Sequence, residues 1–68
     1  MRQDILDAIK TFDNDTLLDV AVSCGFITLD ELLESRKLKL LPKKATKSYI
    51  RKRALADEVV AEMVLLNA

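Results

Sequence analysis

The chain has no histidine and no tryptophan, and a single glycine, proline and cysteine among its 68 residues. Without imidazole it lacks the side chain that most often serves as a general acid–base near neutral pH, and the commonest metal ligand. Its one thiol, Cys24, forms no disulfide within the chain and is too small a ligand set for structural zinc, so neither metal nor cofactor is expected. Scarcity of glycine removes a Gly-rich phosphate loop, and scarcity of both turn-formers points to helices joined by short connections. No apolar run approaches membrane-spanning length; the run near the end, Met63–Leu66, is four residues. The opening MRQDILDAIK is too polar for a signal peptide. These absences lead to the expectation of a cytoplasmic chain with no membrane partner and with Cys24 as a reduced core thiol.

What is present begins with a concealed charge pattern. Arg36 to Arg53 reads RKLKLLPKKATKSYIRKR, with nine cations (Arg36, Lys37, Lys39, Lys43, Lys44, Lys47, Arg51, Lys52, Arg53) and no acid. Residues 1–35 carry Arg2 and Lys10 against Asp4, Asp7, Asp13, Asp15, Asp19, Asp30, Glu31 and Glu34. Residues 54–68 carry Asp57, Glu58 and Glu62. A formal net charge of zero therefore hides a basic centre between acidic arms.

Length allows one domain, residues 1–68, with a small core. Half of the residues are apolar, which is generous for such a chain and favours a homodimer. The expected fold is all-α: three short helices plus a longer C-terminal one. Helix 1 is predicted from about Arg2 to Phe12, with Ile5, Ile9 and Phe12 at i, i+4, i+7. Asp13-Asn14-Asp15 ends it and caps helix 2, about Asp15 to Cys24, which buries Leu17, Leu18 and Ala21; Gly25 sits just past its end. Thr28 and Glu31 have capping-box spacing, and Ile27 and Leu32 have that of a hydrophobic staple. Helix 3 is predicted from Leu29 to about Leu38, with Leu32, Leu33, Arg36 and Leu40 on one face. A loop over 39–45 contains Pro42, which pushes Leu41 out of helical conformation. Helix 4 starts after a Thr46 N-cap and runs almost to the C-terminus, with Tyr49, Ala56, Val60, Met63 and Val64 on one side. Leu55, Val59, Leu65 and Leu66 widen that surface, so the predicted dimer interface is Tyr49, Ala56, Val59, Val60, Met63 and Val64. Arg53 and Asp57 have the spacing to pair.

The segment LLDVAVSCGFITLDELLES, with Ala21, Gly25, Phe26 and Leu32 at its key positions, resembles the helix-turn-helix unit of bacterial transcription regulators. The resemblance covers about 20 of the 68 residues and implies a helical corner at helices 2–3. The position of a recognition helix opens with Asp30 and Glu31, followed by Glu34, and such charges oppose phosphate binding. A structural corner is the expectation.

The pairs Asp13/Asp15 and Asp30/Glu31 fall at helix starts, where capping and dipole compensation account for them. Cys24 has no histidine to activate it, and Tyr49 fits a core position. The chain is read as a non-enzyme. Lys43, Lys44 and Lys47 crowd the start of helix 4 and Arg51 continues their face; such charge opposes the helix dipole unless an anion sits there. The leading expectation is a nucleic-acid-binding regulatory or architectural protein that meets phosphates through Arg36, Lys37, Lys39, Lys43, Lys44, Lys47 and Arg51. The alternative is a protein–protein interaction module, an adaptor, assembly factor or inhibitor of a larger partner, with a self-assembling subunit third.

Overall fold

Three local devices set the first half of the fold. In the computed structural model, which describes residues 2–68 (Arg2 by its backbone alone), α1 spans Arg2–Thr11, α2 Asn14–Ser23 and α3 Leu29–Leu38. Asp13 caps α2, its carboxylate accepting from the Thr16 N–H at 2.9 Å. Its C-terminus closes as a Schellman motif: Phe26 N–H donates to the Ala21 carbonyl, Gly25 N–H to that of Val22, and Gly25 takes the left-handed φ of 77°. The capping box of α3 is complete, with Glu31 N–H on Thr28 Oγ1 at 3.1 Å and Thr28 N–H on Glu31 Oε1 at 2.9 Å. Ile27 and Leu32, the staple residues, are both buried in one cluster.

α3 ends at Lys39, whose φ of 57° is left-handed and whose N–H bonds the Ser35 carbonyl. Leu40 N–H reaches the same carbonyl at 3.1 Å. After Pro42 the chain makes a 3₁₀ turn, Lys43–Ala45, within the expected loop. Thr46 then caps α4, Lys47–Ala56, by accepting from Tyr49 N–H at 3.2 Å.

The expected long C-terminal helix is two helices. At Asp57 the backbone is extended (φ −141°, ψ 116°), and α5 runs Glu58–Leu66. Asp57 serves as the N-cap of α5, its carboxylate accepting from Val59 N–H at 2.9 Å. The break turns Val60, Ala61 and Val64 onto α1, α2 and α4, where they join Ile5, Ile9, Phe12, Leu17, Val20, Ile50 and Ala54 in the main core. A straight helix would carry them away from α1.

A second cluster, Leu18, Ala21, Ile27, Leu32 and Ala45, holds α3 and the 3₁₀ turn to the opposite side of α2. Phe26 and Leu41 touch both clusters. α2 is therefore the shared wall, with Leu17 and Val20 facing one core and Leu18 and Ala21 the other. The expected stripe on α3 is corrected by this arrangement: Leu32 and Ser35 face inward, while Leu33 and Leu40 are 57% and 63% exposed. Of the α-helices only α2 packs on α3, so the outer half of α3 is left uncovered.

Candidate anion-binding surface

The nine cations of residues 36–53 do not form one surface. Arg36 lies across the α2–α3 corner, its Nη2 donating to Asp19 Oδ1 at 2.8 Å and its Nε 3.4 Å from Asp15 Oδ1. These are the only ion pairs among the described residues, and they direct the Arg36 guanidinium toward α2. Lys37 and Lys39 stand at the C-terminal end of α3, where positive charge suits the helix dipole.

Arg53 has a third role. Its guanidinium lies 4.7 Å from the centroid of the Phe26 ring and 5.8 Å from that of Tyr49, and its Nη1 donates to Tyr49 Oη at 2.9 Å. Phe26 and Tyr49 meet edge-to-face with centroids 5.2 Å apart. The sandwich ties α4 to the α2–α3 turn and replaces the expected Arg53–Asp57 pair, because Asp57 is turned to cap α5. It also occupies the rings that a nucleobase would need for stacking.

Two of the remaining cations, Lys47 and Arg51, meet Lys10 at the α1–α4 seam. Lys47 Nζ donates to the Lys10 carbonyl at 2.9 Å, satisfying one of the orphan acceptors at the end of α1. Lys47 and Arg51, one turn apart on α4, line a groove of about 280 Å³ with Gln3, Leu6, Ile9 and Lys10. Three cations and no carboxylate line it; the nearest acid in the bonding pattern is Asp7, which accepts from Gln3 Nε2 at 2.8 Å. Exposed Lys43 and Lys44 sit on the 3₁₀ turn that leads into α4. Lys10 was missed by sequence reasoning. Its only signal was its place in the last turn of α1, an ordinary dipole-compensating position.

The predicted dimer interface is dispersed. Val60 and Val64 are 3% and 0% exposed within one copy's own core, Tyr49 and Met63 are half-buried, and Ala56 and Val59 are open. One face of one helix became parts of two helices at the Asp57 break. Cys24 is half-buried between the core and solvent; burial and then the Asp57 charge push its thiol up from the usual value, with Arg53 opposing them. It stays protonated near neutral pH, the unreactive form.

No family model, curated protein or solved structure matches this chain. Its class is set by its own geometry, an all-α domain of five α-helices and one 3₁₀ turn among the described residues. No described helix is long and apolar enough to cross a membrane.

Proposed function

We propose that this chain is a small non-enzymatic nucleic-acid-binding protein, regulatory or architectural, that holds the phosphate backbone without reading bases. The observation that carries this reading is the groove in which Lys10, Lys47 and Arg51 converge with no lining carboxylate. Exposed Lys43 and Lys44 on the 3₁₀ turn that leads into α4 add further positive charge. The donors that remain on these side chains suit phosphate oxygens, which accept several hydrogen bonds at once. The helix-turn-helix-like corner acts as scaffold: α3 opens with acids, and Arg36 is held by α2. The acidic arms weaken long-range attraction, but beyond about 8 Å at physiological salt their field is largely screened.

Binding of this kind is measured by fluorescence anisotropy on a short duplex and a single strand, from low to physiological salt. Three to five phosphate contacts give a log–log salt slope of about −2.7 to −4.5 on duplex. Lys10→Glu with Arg51→Glu should abolish the binding while leaving thermal stability close to the parent, since neither side chain holds the fold together. Lys47 is avoided because it caps α1. Absence of binding at low salt, or binding that survives both substitutions, refutes the proposal.

A further inference from the structure

We propose that the outer face of α3 is a self-association surface, on which two copies pair antiparallel. Independently of the anion-binding groove, three observations lead there. Of the α-helices only α2 covers α3, and Leu33 and Leu38, which lie toward its uncovered side, are each more than half exposed. Leu33 and Leu38, with Glu34 and Lys37 between them, line one shallow surface depression, and Leu38 continues into a second with Leu40, Leu41 and Pro42. Exposed leucines that flank charged residues around one shared depression on a small domain suit an interface.

The charges identify the occupant. Along α3 the acids Asp30, Glu31 and Glu34 fill the N-terminal half, and Arg36, Lys37 and then Lys39 the C-terminal end. The helix dipole accounts for that polarity within one copy, but not for the leucines placed among the charges. Laid antiparallel on itself, the helix sets Glu34 of one copy against Lys37 of the other; laid parallel in register, it puts like against like. The register is shared as well. A two-fold axis midway between Ser35 and Arg36 sets Glu34 level with Lys37 of the second copy, and Leu33 level with its Leu38. The leucines then flank two equivalent ion pairs, the isologous arrangement of a two-fold dimer. A helix of ten residues is about 15 Å long, so the contact is small and the dimer weak.

The test is molar mass by light scattering and sedimentation from micromolar to millimolar protein. The parent should move from monomer toward dimer across this range. Leu33→Glu should hold it monomeric with its helicity unchanged, because Leu33 is exposed in the single copy. Glu34→Lys alone and Lys37→Glu alone should each weaken association at least tenfold at low salt, and the double exchange Glu34→Lys/Lys37→Glu should restore it. A parent that stays monomeric throughout overturns the proposal. So does a dimer indifferent to all four variants, which would place the contact elsewhere, for example on the exposed Val59–Leu66 side of α5. Single exchanges that weaken association without rescue by the double exchange overturn the antiparallel register.

Discussion

Replacing Asp57 tests the physical claim on which the C-terminal half of the fold depends. A straight α4–α5 helix would give intrahelical partners to the N–H groups of Glu58 and Val60, at a net value of about 1 kcal/mol each, and would exchange the Val59 N–H bond to Asp57 for a backbone one. The bend instead buries Val60 and Val64, 3% and 0% exposed, each valine contributing about 1.5–3 kcal/mol, with Ala61 in addition. The two totals lie within a few kcal/mol, so the cap that Asp57 gives Val59 N–H at 2.9 Å matters. Asp57→Ala removes that cap at a cost of about 1 kcal/mol and favours a straight helix by up to about 0.7 kcal/mol. The expected outcome is a still-folded domain that is less stable by about 1–2 kcal/mol. For a domain of this size the midpoint of thermal unfolding should fall by roughly 4–16 °C. Asp57→Asn keeps a capping oxygen and should stay within a few tenths of a kcal/mol of the parent, on the order of the spread among good caps. Thermal unfolding followed by circular dichroism at 222 nm reads both quantities. If Asp57→Ala melted higher and gained helical signal, the continuous helix would be the better structure, and the reasoning from valine burial would be wrong.

Two further outcomes follow from particular residues. Lys39 holds a left-handed φ of 57° at the end of α3; Lys39→Gly should relieve that strain and, after glycine's greater flexibility in the unfolded chain is offset, raise stability by about 0.5–1 kcal/mol in a urea titration. A loss of stability there would mean that the lysine side chain makes a contact worth more than the strain. The carboxyl of Asp13 is held below the usual aspartate range by its hydrogen bond from Thr16 N–H, so its contribution to stability is present above the unfolded-state value and lost as pH falls through the lower folded value. Acid titrations from about pH 5 downward should therefore show the advantage of the parent over Asp13→Ala shrinking, whereas Asp13→Asn should cap independently of pH. An advantage that persists unchanged to about pH 2 would exclude the charged cap.

Much of the first half of the molecule was legible in the sequence because its determinants are local. The capping box of Thr28 and Glu31, a cap within Asp13-Asn14 (Asp13 in the structure), the left-handed Gly25 and the stop before Pro42 each involve groups within about five residues. Backbone donors near a helix end need partners wherever the helix goes, so short-range spacing suffices to locate α1, α2 and α3. The basic stretch was legible as composition but not as a site. Whether a cation lines an open groove, meets an acid or lies on a ring depends on what another part of the chain brings to it, as Lys47, Arg36 and Arg53 respectively show.

Sequence alone determined an all-α chain, the places of its first three helices to within about a residue, the Thr46 start of the fourth, and the separation of basic centre from acidic arms. Tertiary structure alone decided that the last helix breaks at Asp57, that Val60 and Val64 belong to the core, that Lys10 joins Lys47 and Arg51, and that Leu33 and Leu40 lie open. The division has one physical cause. Caps and turns are satisfied by neighbours along the chain, and their spacing is written in it. Burial and charge pairing are satisfied by whatever surface arrives from far along the chain, and at Asp57 the periodicity of a continuous helix yields to the apolar area that α1 and α2 offer α5.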